Sequence, residues 1–278
     1  MQIPIRGILI DVSGTVHVGD KAIPGAVSAL DRLRASRIPT SGETLAIKLR
    51  ELGFNIKREE VTLADKDLKK RLSLFNSIFV MPLLFLEQDA LKEFEGIPQS
   101  EPHDSVVIGL SPSNFHYDMM NKAFKILVQT PQPGTLIAVH KAKYFAEKDH
   151  GNLSIGPGGF VEALEYASGV KAHVVGKPQK AFFELAIQNM GLADSTIASG
   201  SADQIQKEHN GSSGIVMIGD DVEQDLGGGA SELGLIRYLV QTGKYRAKDE
   251  DRDAFGGLDG TFRDFAAVVD HILSSMNK

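Results

Sequence analysis

Short apolar runs that end in glycine or a carboxylate recur along the chain, with amphipathic stretches between them. Ile8-Leu9-Ile10 follows Arg6-Gly7 and ends at Asp11, and Ile215-Val216-Met217-Ile218 ends at Gly219-Asp220-Asp221. Runs of this kind fill parallel strands that are covered on both faces. Leu83 to Leu86, Val106 to Leu110 and Leu136 to Val139 read as further strands, and Val174-Val175 is strand-like. Between Pro24 and Arg34 the apolar positions 26, 27, 30 and 33 share one helical face, and helices are also read over Asn114 to Val128 and Phe160 to Ala167. Strands alternating with helices predict an α/β fold with a doubly wound parallel sheet. The βαβ pattern repeats within residues 80–170, so a second α/β domain is expected there, with 1–79 and 171–278 forming the main domain.

The strand ends carry the chemistry. Asp11 stands where a doubly wound sheet opens its crevice, at the carboxyl edge of its strands. Ser13-Gly14-Thr15 adds small residues and free backbone N–H groups that can hold an anion nearby. Taken alone, such an aspartate as often only caps the next turn. Asp220, Asp221 and Asp225 change that balance, because carboxylates from two strand ends can converge on one hard cation. Mg²⁺ takes oxygen ligands and needs only one or two carboxylates besides substrate phosphate. Lys177, in Gly176-Lys177-Pro178, reaches the same edge and can hold a carboxylate ionised or neutralise a phosphoryl oxygen. A lone lysine there would be a solvated surface residue; in this company it reads as functional.

Ile10-Asp11-Val12-Ser13-Gly14-Thr15, Val174-Val175-Gly176-Lys177-Pro178, Gly219-Asp220-Asp221 with Asp225, and Thr242-Gly243-Lys244-Tyr245 occur in an order that resembles the haloacid dehalogenase superfamily. Phe115-His116-Tyr117, His140-Lys141-Ala142-Lys143-Tyr144 and Ala163-Leu164-Glu165-Tyr166 extend the resemblance over nearly the whole chain, toward one subgroup of that superfamily. The resemblance implies a Rossmann-like core with an inserted α/β cap domain at 80–170. It implies a Mg²⁺-dependent phosphatase in which Asp11 attacks phosphorus and water then hydrolyses the aspartyl-phosphate. Asp11, the backbone carbonyl of Ser13 and Asp220 would hold Mg²⁺, with Asp221 and Asp225 secondary. Lys177 would pair with Asp11 and the phosphoryl oxygens, and N–H groups near Val12 and Ser13 would receive their charge. Small phosphorylated molecules are the implied substrates. Caps in similar proteins often contribute to dimers, so a homodimer is the oligomer the resemblance points to.

Three features depart from the superfamily pattern. Many members carry a second Asp two residues after the nucleophile as general acid and base, and Ser13 is too weak an acid for that. Substrates with good leaving groups, such as phosphoramidates and pyrophosphate, are then favoured. His17 reads as an ordinary turn residue rather than a substitute acid. Second, only Ala35 to Thr40 separates the first helix from a helix read from Ser41 or Gly42 to Gly53. A strand with its two loops does not fit, and Pro39 weakens pairing. The strand whose end binds the phosphoryl group is therefore expected to be missing, with Thr40 or Ser41 as stand-ins, and a catalytically impaired variant is the competing reading. Third, the polar Gly/Ser-rich stretch 199–214 reads as an inserted loop.

Composition narrows the classes further. The chain has 278 residues, a net charge of −6 and no cysteine. The acidic balance argues against nucleic acid, and thiol catalysis and disulfides are excluded. The most apolar run, Phe79 to Leu86, is far shorter than the roughly 20 residues of a membrane span and is broken by Pro82. With no charged-then-apolar leader before Ile8, a cytoplasmic enzyme is expected, the nucleus being the alternative compartment. Among the cap residues, His140, Lys141, Lys143 and Tyr144 read as exposed loop positions in preference to substrate contacts. Gly156-Pro157-Gly158-Gly159 reads as a helix entry rather than a phosphate loop.

Overall fold

The computed structural model describes residues 4–36, 38–42, 81–91, 94, 101–129, 133–147, 152–192, 213–254 and 256–276. These fall into two compact units. One holds the described residues within Met1–Leu63, Ala146–Leu153 and Lys177–Lys278; the other holds those within Ala64–Phe145 and Ser154–Gly176.

The first unit is built on a parallel sheet of five strands in the order β13-β12-β11-β1-β4. These are β1 (Gly7–Ile10), β4 (Thr40–Gly42), β11 (Ile215–Gly219), β12 (Ile236–Val240) and β13 (Gly260–Phe262). β1 and β11 are buried along their whole length, as apolar strands with no polar face must be. Alternate residues serve opposite faces. Ile8, Ile10, Val216, Ile218 and Tyr238 join Ala26, Leu30 and Leu33 of α1 (Ala26–Ala35) and Phe265, Val269 and Ile272 of α7 (Phe265–Met276) in one core. Each such side chain contributes roughly 1.5–3 kcal/mol by leaving water. On the other parity, a side chain at Gly7 would overlap Leu192, which follows α5 (Lys180–Asn189); α5 in turn packs on α6 (Gly229–Glu232). The sheet is thus wound on both faces, as the apolar runs imply.

Between β1 and α1 lies a hairpin of β2 (His17–Val18) and β3 (Lys21–Ala22), turned at Gly19, whose φ is 55°. The His17 ring is buried and its Nδ1 bonds the Gly19 carbonyl, which is the bond of a turn residue.

One expectation is overturned. A strand is present where the apolar pattern shows none: β4 runs parallel to β1, pairing Thr40 with Ile8, Ser41 with Leu9 and Gly42 with Ile10. Pro39 is no obstacle, because it precedes the ladder and contributes its carbonyl, which accepts the Ile8 N–H at 2.9 Å. Three residues suffice for a strand that, among the described residues, has a single neighbour. The ground for an impaired variant disappears with the gap. Ser41 and Gly42, where a helix was expected to begin, are strand residues instead; the rest of that helix to Gly53, and nearly all of the 199–214 stretch, lie outside the described residues.

The second unit carries a parallel sheet of four strands, β10-β7-β6-β5. Here β5 (Pro82–Phe85), β6 (Ser105–Ile108) and β7 (Thr135–Ala138) match the three apolar runs, and β10 (His173–Val174) lies beside β7. Leu83, Phe85, Val106, Ile108 and Leu136 pack with Ala123 and Leu127 of α3 (Tyr117–Leu127) and Val161 and Leu164 of α4 (Pro157–Ser168). Phe115 and Phe160 stack at 3.8 Å between ring centroids. Pro157 opens α4 at its first turn, so the glycine-rich stretch is a helix entry. A Cβ on Gly158 would overlap the carbonyls of Lys141 and Ala142, which explains the glycine there. A two-stranded ribbon of β8 (Tyr144–Ala146) and β9 (Leu153–Ile155), a single-turn helix α2 (Gln88–Leu91) and two 3-10 turns at Pro112–Asn114 and Asp249–Arg252 complete the described elements. No described helix is long and apolar enough to cross a membrane.

Candidate active site

Two adjacent parallel strands deliver the acidic residues. Ile10 of β1 is in register with Ile218 of β11, and the Asp11 N–H donates to the Ile218 carbonyl at 2.8 Å. Asp11 and Asp220 therefore leave the same edge side by side. Directly after Asp11 the chain closes a tight turn in which the Val12 carbonyl accepts the N–H groups of Thr15, Val16 and His17. The N–H groups of Val12 and Ser13 donate to no acceptor among the described residues, and Ser13 is exposed while its neighbours are buried.

Asp11, Asp220 and Asp225 are 7 %, 1 % and 1 % exposed, and each offers a carboxylate oxygen within 4.8 Å of the others. Lys177 binds two of them: its Nζ donates to Asp11 Oδ1 at 2.6 Å and to Asp225 Oδ1 at 2.8 Å. Thr15 Oγ1 donates to Asp11 Oδ2 at 3.3 Å. The second oxygen of Asp225 accepts the Asp221 N–H at 3.1 Å. Asp221 is fully engaged in its own loop, taking the N–H groups of Glu223 and Gln224 on Oδ1 and the Lys244 ammonium on Oδ2.

Asp220 is held differently. Its Oδ2 accepts the backbone N–H of Lys244 at 2.6 Å and is wedged between Gly14 and Gly243. Both glycines have positive φ, 97° and 57°, and a Cβ on either would overlap that oxygen. The Oδ1 of Asp220 is buried and has no partner among the described residues. A buried, unpartnered carboxylate oxygen costs several kcal/mol unless a cation or a proton meets it.

The electrostatics agree with that geometry. Burial, reinforced by the charges of Asp11 and Asp225 against the opposing pull of Lys244, pushes the Asp220 carboxyl well above the ordinary range. Burial and the Asp11 charge push the Asp225 carboxyl up to about 6 in spite of Lys177. Burial opposes ionisation of Asp221 too, but Lys244 and the N–H groups of Gln224 and Glu223 outweigh it and lower its pKa. Burial likewise opposes the charge of Lys244, yet the surrounding carboxylates hold its ammonium above the usual range. With all four carboxylates ionised, the two ammonium groups leave the cluster two charges short of balance, and burial works against the charged forms of Asp220 and Asp225. A divalent cation with oxygen preference fits both the charge and the orphaned oxygen.

Of the residues expected at the site, the structure brings together Asp11, Lys177, Asp220, Asp221 and Asp225, with Val12 and Ser13 in the turn beside them. Thr40 and Ser41 do not join them: they pair with Ile8 and Leu9, upstream of Asp11 on the sheet. In the second unit, Lys143 is exposed, as expected of a loop residue, whereas His140, Lys141 and Tyr144 are partly buried. Lys141 corrects the exposed-loop expectation further. Its ammonium donates to Glu162 at 2.6 Å and to the buried Glu165 at 3.0 Å, bracing α4. Thr242, Gly243 and Lys244 stand at the site without a role expected from the sequence, and Thr15, expected only as part of an anion-holding turn, adds its hydroxyl. Thr242 Oγ1 donates to the Gly14 carbonyl at 2.6 Å, tying the turn after β12 to the turn after β1. The available signal was a third apolar strand, Ile236–Val240, ending at the same edge as β1 and β11.

The comparisons with known proteins are consistent in kind. Residues 8–81 match the haloacid dehalogenase-like hydrolase family, and residues 174–268 match the HAD-hydrolase-like family. The chain is 39 % identical to human haloacid dehalogenase-like hydrolase domain-containing protein 2, over 98 % of this chain and 97 % of the relative. It is 34 % identical to the phospholysine phosphohistidine inorganic pyrophosphate phosphatase of Xenopus laevis, over 98 % of this chain and 96 % of that one. Among solved structures, the 4-nitrophenylphosphatase of Thermotoga maritima superposes with a TM-score of 0.75 at 20 % identity, covering 96 % of this chain and 97 % of its own. At that identity over nearly the whole of both chains, and with both family models matched, the chain belongs to the haloacid dehalogenase-like hydrolases.

Proposed function

We propose that the chain is a magnesium-dependent phosphatase acting on small phosphorylated molecules through an aspartyl-phosphate on Asp11. The observation that carries this reading is the Lys177 bridge, which holds the nearly buried Asp11 side chain at 2.6 Å at the sheet edge, where it can serve as the nucleophile. An Asp11 oxygen forms a bond to phosphorus as the bond from phosphorus to the leaving group breaks, and the leaving group takes its proton from solvent. Water then attacks phosphorus, which frees the Asp11 carboxylate and releases inorganic phosphate. Lys177 and the N–H groups of Val12 and Ser13 receive the charge that gathers on the phosphoryl oxygens. Asp11, Asp220 and the Ser13 carbonyl would hold the cation, with Asp221 and Asp225 steadying the loop beside it. Bound there, Mg²⁺ screens the repulsion between Asp11 and an incoming phosphate dianion.

Ser13 narrows the substrate. Without a carboxylic acid to protonate the leaving group, phosphoramidates and pyrophosphate are favoured over alkyl phosphates. The phosphatase relative named for phospholysine, phosphohistidine and pyrophosphate supports that choice. We infer that the second unit is the cap that selects among such substrates. Cytoplasmic residence and a homodimer belong to the same proposal.

Steady-state hydrolysis of p-nitrophenyl phosphate and pyrophosphate, with Mg²⁺ and with EDTA, tests the reading. Turnover that needs the metal and disappears in Asp11→Asn is expected. Turnover that survives Asp11→Asn would overturn the covalent mechanism.

A further inference from the structure

The two oxygens of Asp220 are in unlike surroundings. Oδ2 is enclosed: the Lys244 N–H donates to it, and Gly14 and Gly243 press on it so closely that neither position has room for a side chain. Oδ1 has no partner among the described residues. The carboxylate cannot swing to offer both oxygens to one ion without breaking the bond to Lys244 and opening the space between the glycines. That space is itself locked, because Thr242 Oγ1 donates to the carbonyl of Gly14, joining the two turns on either side of the carboxylate. The rest of the turn is braced as well. Gln241 Nε2 donates to the Tyr245 hydroxyl, which donates to Glu250, and the Arg246 N–H donates to Asp249.

Ion size makes this matter. Mg²⁺ is satisfied by single oxygens in a tight octahedron and keeps several waters. Ca²⁺ takes six to eight oxygens at longer range, and a bidentate carboxylate is one of the ways in which it reaches that number. A carboxylate clamped to one free oxygen supplies the first ion and withholds a ligand from the second. We propose that the turn Thr242-Gly243-Lys244, acting with Gly14, makes Asp220 a one-oxygen ligand and thereby gives the cation site a preference for magnesium over calcium. Thr242 and Lys244 are positioning residues in this scheme: the Thr242 hydroxyl locks the clamp and the Lys244 backbone N–H, rather than its ammonium, holds the oxygen. The inference rests on the cation site of the proposed phosphatase.

Calorimetric titration of the whole, cation-free protein with MgCl₂ and separately with CaCl₂ tests it without any assay of turnover. The wild-type protein is expected to bind Mg²⁺ at least tenfold more tightly than Ca²⁺. Thr242→Val, which releases the lock, is expected to narrow that ratio severalfold. Thr242→Ser keeps a hydroxyl and should preserve it, as should Lys244→Met, which keeps the N–H. Equal affinities in the wild type, or an unchanged ratio in a folded Thr242→Val, overturn the clamp. A ratio that collapses in Lys244→Met overturns it too, because the ammonium would then be the determinant. Should Thr242→Val not fold, the wild-type ratio and the other two variants decide. Failure of the underlying reading looks different: the wild type would bind neither ion, or Asp220→Asn would bind both as well as the wild type does.

Discussion

The Lys177 ammonium lies 2.6 Å from Asp11 Oδ1, and the same nitrogen reaches Asp225 at 2.8 Å. One cation thus separates two buried carboxylates that would otherwise repel, the first of them the proposed nucleophile. Replacing it with methionine removes the counter-charge and leaves both carboxylates buried. Turnover of p-nitrophenyl phosphate by Lys177→Met should fall by about 10²–10³, the usual loss when a charge-stabilising donor is removed. Steady-state kinetics at saturating Mg²⁺ would show it, with circular dichroism confirming the fold.

The raised carboxyl of Asp225 predicts how stability varies with pH. Its pKa in the folded protein is about 6, above the ordinary value of 3.8, so between those values the native state binds more protons than the unfolded one. Stability from this group is full at low pH and is lost as pH rises through about 6. Asp220, shifted in the same direction, adds to the effect. The melting temperature measured in EDTA should therefore fall between pH 5 and pH 7. Mg²⁺ should restore it at pH 7, since an ion that binds only the folded state stabilises it.

Lys244 predicts the converse dependence on cation. Its Nζ lies 3.1 Å from Asp221 and neutralises part of a cluster that already lacks balance. In the cation-free protein, Lys244→Met should cost on the order of 3–5 kcal/mol, as breaking a buried ion pair does. Urea denaturation with and without Mg²⁺ measures this. Much of the loss should be recovered when the ion is present.

Arg237 should matter for folding rather than chemistry. Its side chain is only 4 % exposed and bonds Asp253 through both nitrogens, together with the carbonyls of Leu226, Gly256 and Gly257. Arg237→Met removes five hydrogen bonds, two to the Asp253 carboxylate and three to backbone carbonyls. A loss of roughly 3–5 kcal/mol is expected in chemical denaturation. Arg237→Lys should lose nearly as much, because an ammonium cannot reproduce the forked geometry.

Gly14→Ala tests the crowding at the site. Its φ of 97° disfavours any side chain, and a Cβ there would displace the Asp220 carboxylate. Mg²⁺ affinity measured by calorimetry should drop sharply, whereas backbone strain alone would cost only about 1–3 kcal/mol of stability.

The sheet and the acidic centre were legible for one reason: strands buried on both faces must be apolar, so a carboxylate at their end stands out. That is how Asp11 and Asp220 declare themselves after Ile8–Ile10 and Ile215–Ile218. β4 was not legible, because Thr40-Ser41-Gly42 has neither length nor apolar pattern, and its identity comes from pairing with β1. β10 is only two residues long; Val174 reads as strand-like, but its place in the second sheet comes from pairing with β7. Lys244 escaped for a different reason. Its role depends on a backbone N–H and a turn held by Thr242, and neither leaves a periodic trace in sequence.

The placement of Asp11 and Asp220 on neighbouring strands has a consequence for how the protein fails. The spacing of their backbones is set by the ladder that joins β1 to β11, including the bond from the Asp11 amide to Ile218. That ladder lies in the most deeply covered part of the sheet, which opens only when the domain does. The amide hydrogen of Asp11 should accordingly be among the last to exchange with deuterated solvent. Thermal inactivation should track global melting rather than precede it, so the protein would lose its catalytic centre and its fold in one event.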